Sequence, residues 1–380
     1  MATQISPMDD EARLPAYVAA GERAAASLNN RGPIRFTVDR RLHPDIVATY
    51  HEVGLYIFEQ VIGPEELTEL RAGIKDLIER LPAHRYAKTD ARGRPAHGAD
   101  FETPFVLWSK PLGDPLGGTS FAGGRHAVKM FEPTPAPGLP AEVPFSLVGP
   151  LQFSDAALRT YGHPELLRVA AAINGEDFVP FNEAVIVKMP GQGASFAWHQ
   201  DGMTHWDHPS WDPLIHGFNF MVQLYGSTAA NGLWFVPGSH RDGKADLKKI
   251  ISRSGQLLPG AVPLVSKPGD VAISNRQLVH GSFPNTSNEP RITLNMGFHR
   301  RSAVENVETR SMYGEPQVYD RRWVDERAAL IGYGISARRL WFPEETPFVY
   351  RPHDVAGLPF EWNDDARSAI REYHRFDILI

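Results

Sequence analysis

Two histidines and one aspartate, His199, Asp201 and His280, can together hold a divalent metal, and Arg291 follows eleven positions after the last of them. Two imidazoles and one carboxylate make the facial triad that binds non-haem Fe(II) and leaves coordination positions open. In a strand, residues two apart point to the same face with Cα atoms roughly 6.6 Å apart. His199 and Asp201 therefore converge on one ion from a single strand, and His280 must arrive from elsewhere. Arg291 adds a permanently charged fork suited to a carboxylate. The combination predicts redox chemistry at iron with an organic-acid co-substrate.

The surrounding sequence has to supply strands that position these groups. Residues 184–189 are β-branched and apolar and break at Pro190-Gly191; residues 194–198 lead into His199 and close at Gly202. Further short runs follow at 218–225, 233–236, 262–267, 270–274, 277–283 and 291–298, each bounded by Gly, Pro or Asn. About eight short strands separated by turn signals read as a double-sheet jelly roll. The expected fold is mainly β with flanking helices, a cupin-like double-stranded β-helix with the triad in its mouth. From Pro64 to Leu81 the apolar positions keep helical spacing, with Pro64 suited to a first turn; this predicts a packing helix.

Trp198-His199-Gln200-Asp201, the run from Asn231 to His240, and His280-Gly281-Ser282 with Arg291 together resemble the phytanoyl-CoA dioxygenase family, Fe(II)/2-oxoglutarate-dependent oxygenases on a double-stranded β-helix. Residues 50–77 also resemble the family's opening, and the likeness extends over roughly 45–301. It implies that His199, Asp201 and His280 are iron ligands and that Arg291 pairs with the far carboxylate of 2-oxoglutarate. Ser282 is implied as a hydroxyl assisting that carboxylate. An aromatic often placed near the co-substrate aligns with Met221, a departure from the pattern. The implied cofactors are Fe(II), 2-oxoglutarate and O2. The implied reaction is hydroxylation of an unactivated C–H of a small organic molecule, with release of succinate and CO2; desaturation, cyclisation or epimerisation use the same ligands. A carboxylate at 201 argues against halogenation.

Other readings stand beside these. With 15 histidines in the chain, a His-x-Asp pair by itself is ordinary surface more often than metal. Lys188 is a candidate at the co-substrate, or else a solvated lysine at a strand end. His205, Trp206 and Trp234 are candidates for touching substrate, against loop and packing roles. His240, closing a Pro-Gly-Ser-His turn, reads as structural. A cupin-like metalloenzyme without 2-oxoglutarate, and a non-catalytic small-molecule-binding barrel, are the alternative functions.

Composition narrows the rest. The 380 residues carry a formal charge of −6 without a dense basic tract, which argues against nucleic acid and acidic membrane surfaces as partners. Cysteine is absent, so disulfides, thiolate nucleophiles and iron–sulfur clusters are excluded. Neither a signal-like leader nor a long apolar run is present, and the expected location is cytoplasmic. The expected organisation is a loosely ordered arm at 1–44, helix-prone around 10–27, then the oxygenase domain at 45–301. Within that domain 84–148 is read as an irregular, Gly- and Pro-rich insert and possible lid. A C-terminal extension at 302–380, ending in a helix near 364–376, packs on the barrel or forms a homodimer contact.

Overall fold

The structure, a computed structural model, describes residues 7–202, 212, 217–310, 315–356 and 360–377. Twelve strands build two facing sheets: β1 (Arg31–Gly32), β2 (Leu55–Phe58), β3 (Val106–Ser109), β4 (Val143–Val148), β5 (Phe178–Lys188), β6 (Phe196–His199), β7 (Gly217–Gln223), β8 (Trp234–Phe235), β9 (Val262–Pro263), β10 (Val271–Asn275), β11 (His280–Ser282) and β12 (Arg291–Arg300). The large sheet runs β1-β2-β10-β7-β12-β5-β4-β3 and the small one β6-β11-β8-β9. This is the expected jelly-roll architecture, and a short hairpin of β13 (Glu308–Arg310) and β14 (Pro316–Val318) follows it.

Strand alternation divides the large sheet into a core face and a cavity face. On β12, Ile292, Leu294 and Met296 enter the core, whereas Arg291, Thr293 and Asn295 line a cavity. On β7, Phe218, Phe220 and Val222 alternate in the same way with Asn219 and Met221.

The helices are α1 (Pro7–Ala26), α2 (Pro44–Val53), α3 (Pro64–Glu79), α4 (Asp155–Tyr161), α5 (Pro164–Asn174), α6 (Leu247–Ser254), α7 (Arg321–Trp341), α8 (Arg351–Ala356) and α9 (Asp364–Ala369). Pro64 opens α3 with Glu65 and Glu66 in its first turn, where carboxylates suit the positive end of the helix dipole. Its buried Leu67, Leu70, Ile74 and Leu77 join the same core as Leu158 of α4, Leu167 of α5 and Ile331 of α7. Among the described residues, no helix is long and apolar enough to cross a membrane.

Three expectations need correction. The N-terminal stretch is not a loose arm: α1 lies on β9, Asp10 accepts from the Gln256 N–H at 2.7 Å, and the Tyr17 hydroxyl donates to the Leu258 carbonyl at 2.9 Å. The insert is not wholly irregular, since β3 and β4 extend the large sheet. Their signal is masked by Pro144, which faces Trp108 where the β3–β4 register shifts, a place where proline is tolerated. The C-terminal extension is dominated by the 21-residue α7, which the sequence reading did not place. Helix α9 covers only the start of the expected terminal helix; a 3-10 turn at Tyr373–Phe376 follows it.

Candidate active site

His199 ends β6 and His280 begins β11, and the two are direct antiparallel partners. Their rings lie 4.1 Å apart between centroids. Each Nδ1–H donates to the carbonyl two residues earlier, His199 to Ala197 and His280 to Leu278, both at 2.8 Å. That bond fixes the tautomer and leaves both Nε2 lone pairs for a metal. Asp201 completes the cluster: Oδ1 is 3.6 Å from His199 Nε2 and Oδ2 is 4.0 Å from His280 Nε2. One ligand atom from each of the three lies within 4.8 Å of the others. Burial holds both imidazoles below the ordinary histidine range, which favours the neutral, ligating form.

Burial alone would push Asp201 towards its neutral form. Arg125 and then Arg276 outweigh it, keeping the carboxyl below its usual range. Arg125 Nη1 lies 2.8 Å from Asp201 Oδ1, and Arg276 Nη2 lies 3.7 Å from Oδ2. Asn219 donates to Oδ2 at 3.2 Å and accepts from Arg276 Nη1 at 2.6 Å. The sequence reading missed these groups. Arg276 sits in the turn just before His280, and Asn219 shares a strand face with Met221, so proximity and alternation were available signals. Arg125 and its neighbour His126 follow Gly123-Gly124 in the insert, where only packing against the barrel reveals them. The His126 ring, buried and 4.2 Å from that of His199, has both nitrogens without a hydrogen-bond partner.

The triad opens into a cavity of about 180 Å³. An apolar cavity of roughly 150 Å³ holds a benzene-sized ligand, so this one suits a small molecule. Arg291, Ser282 and Met221 all line it, Met221 on the face opposite the small sheet. The Arg291 side chain is 3% exposed and makes no hydrogen bond or ion pair among the described residues; its buried Nε is unpartnered. Burial lowers this guanidinium to about 10. Lys188 is its cross-strand partner. The Lys188 ammonium donates to Ser282 Oγ at 2.9 Å and to the Phe283 carbonyl. It is not a solvated strand-end lysine: burial, and then Arg291, push it well below the ordinary range.

Trp234 is not at the cavity. Its neighbour Leu233 lines the space, and alternation turns the indole to the outer face, where it stacks on Tyr17 of α1 at 4.8 Å. His205 and Trp206 lie outside the described residues. His240 is structural, as expected, with Nε2 2.9 Å from the His51 carbonyl oxygen.

The family described as Phytanoyl-CoA dioxygenase (PhyH) matches residues 50–293. The chain belongs to this family. The matched region carries the triad and Arg291 and stops before α7. Over 142 residues the chain is 30% identical to Dioxygenase lolE1 of Epichloe uncinata, covering 35% of this chain and 50% of that protein. Over 172 residues it is 27% identical to Methylphosphonate hydroxylase of Gimesia maris, covering 44% and 62%. The chain thus spans about half to three-fifths of the length of these two relatives. The crystal structure of EctD from S. alaskensis with 2-oxoglutarate and 5-hydroxyectoine has 18% identity and a TM-score of 0.49, over 75% of this chain and 89% of that one.

Proposed function

We propose that this phytanoyl-CoA dioxygenase family member is an Fe(II)/2-oxoglutarate-dependent dioxygenase that hydroxylates a small organic molecule. One observation carries the reading: Arg291, a buried guanidinium without an anionic partner among the described residues, shares a cavity with a two-histidine, one-carboxylate cluster. The donor set fits Fe(II), and the orphaned cation fits the far carboxylate of a diacid.

In this reading His199, Asp201 and His280 hold the metal through two Nε2 atoms and a carboxylate oxygen. Arg291 receives the co-substrate's distal carboxylate, with Lys188 and Ser282 beside it. Iron, when bound, would use O2 and 2-oxoglutarate to hydroxylate the C–H bond, one oxygen atom going to the product and the other to succinate, with CO2 released. Arg125 and Arg276 keep Asp201 ionised, and Asn219 holds its Oδ2 in place. Phe121, Ile186, Phe196 and Leu233 give the cavity apolar walls that exclude water from the reacting region. A homodimer through the C-terminal extension is part of the proposal, supported by the exposed Leu340 and Trp341 at the end of α7.

Anaerobic titration with Fe(II) and 2-oxoglutarate, following the visible charge-transfer band, tests the site. Succinate release stimulated by substrate tests the reaction. Asp201→Ala and His280→Ala are each expected to abolish both signals. Metal binding that proceeds without any response to 2-oxoglutarate would favour a cupin-like metalloenzyme instead.

A further inference from the structure

Beyond residue 293, where the family match ends, the chain contributes one more wall to the cavity. Asp377 lines it, beside Asn182 and Glu183 of β5. A bulge brings the last two there. Asn295 pairs with Ala184 and Gly297 with Phe181, so Asn182 and Glu183 together stand opposite Met296. Asn182 adopts a left-handed conformation, φ 61°. Such a bulge re-aims side chains that strict alternation would send to opposite faces.

The polar groups at this end are partly paired. Arg327 Nη2 from α7 lies 2.5 Å from Glu183 Oε2 and 2.9 Å from Asp377 Oδ1. The Tyr161 hydroxyl donates to Glu183 Oε1 at 2.6 Å, and the Asn182 N–H donates to Asp377 Oδ1 at 2.9 Å. Among the described residues, two acceptors at the cavity wall, Asp377 Oδ2 and Asn182 Oδ1, are buried without a hydrogen-bond partner; Arg327 Nε and Nη1 and the Tyr319 hydroxyl, behind them, also lack one. Asp377 is 1% exposed. Arg276 faces Asp377 from the triad side, but its guanidinium is engaged with Asp201 and Asn219. Burial, opposed by Arg327 and reinforced by Glu183, raises the Asp377 carboxyl to about 7. A cationic donor at Oδ2 would favour its ionised form, and a buried acceptor without a donor costs free energy until one arrives.

We propose that this end of the cavity binds a protonated amine of the substrate, selected by Asp377 and Asn182, while the carbon to be oxidised lies towards the triad. The inference rests on the oxygenase reading for the reaction, though not for the binding. It makes the C-terminal segment a determinant of specificity, in a part of the chain that the family match does not reach.

Three molecules of similar shape test it: cyclohexylammonium, cyclohexanol and cyclohexanecarboxylate. Each is titrated calorimetrically, without oxygen, into the Fe(II)- and 2-oxoglutarate-loaded protein. The ammonium ion is expected to bind about tenfold more tightly than either other probe, the scale of one charge-assisted hydrogen bond. Asp377→Asn should bring it down to the level of the alcohol while leaving carboxylate binding as strong or stronger. Asn182→Asp, a mild change where asparagine and aspartate both tolerate positive φ, should strengthen ammonium binding and weaken carboxylate binding. Equal or tighter carboxylate binding, an ammonium preference that survives Asp377→Asn, or no binding of any probe overturns the proposal. The ammonium preference should persist in the metal-free wild-type protein, so a failed oxygenase reading and a failed amine site give different results.

Discussion

Arg291 of β12 and Lys188 of β5 are direct cross-strand partners, and both side chains are buried. Side chains directly opposite in an antiparallel pair share a face, so two basic groups lie side by side in a low-dielectric interior, and Lys188 is held well below its ordinary range. Lys188 has Ser282 and Phe283 as neutral acceptors; Arg291 has no partner among the described residues. Repulsion between like charges is strong there. A dicarboxylate relieves it, and the apo protein bears the cost.

It follows that 2-oxoglutarate should raise the thermal midpoint of the metal-free protein, climbing with the logarithm of ligand concentration above its Kd. Arg291→Met should lose that rise while leaving the apo protein as stable or more so, by up to ~2 kcal/mol, because a lone buried charge is removed. In turnover, Arg291→Ala should raise the 2-oxoglutarate requirement strongly. A normal requirement in that variant would show that another group anchors the co-substrate.

Lys188 sets a pH dependence. Its folded-state value lies well below the ordinary 10.5, through burial and then Arg291. The folded state therefore binds fewer protons than the unfolded one between these values, and stability rises with pH across that window. Urea midpoints of the apo protein should climb as pH approaches 10.5. Lys188→Met should flatten the climb; an unchanged slope would place its origin in other groups.

Arg125 competes with a metal for Asp201. Its guanidinium already lies 2.8 Å from Oδ1, and a divalent cation at the same carboxylate meets a like charge. Arg125→Gln is expected to tighten Mn(II) binding about tenfold, a gain of ~1.4 kcal/mol, measured by calorimetry without co-substrate. Weaker binding in the variant would instead make Arg125 an orienting group for the ligand.

Trp234 belongs to stability. Fully buried, its indole stacks on Tyr17 and donates to the Ala229 carbonyl at 3.0 Å. Trp234→Ala should cost about 3–5 kcal/mol in chemical denaturation, with 2-oxoglutarate affinity kept within about twofold because the residue is off the cavity wall. A selective loss of co-substrate binding would contradict this placement.

The sequence by itself determined the strands from β5 to β12 and the grouping of His199, Asp201 and His280 with Arg291. Each of these depends on local periodicity: alternation decides which neighbours share a face, His199 and His280 lie at strand ends, and Asp201 follows in the bend just past β6 before Gly202. Packing between distant segments decided the rest. Lys188 could have been solvent-facing or buried until β5 was paired with β12. Trp234 could have faced substrate until α1 covered the outer side of the small sheet. Arg125 and His126 lack periodicity of their own and reach the site because the insert folds over it. Arg327 and Asp377 lie 144 and 194 positions after Glu183. Side-chain periodicity carries information over a few residues, whereas the meeting of such remote charges depends on how whole elements pack, which the tertiary structure alone decides.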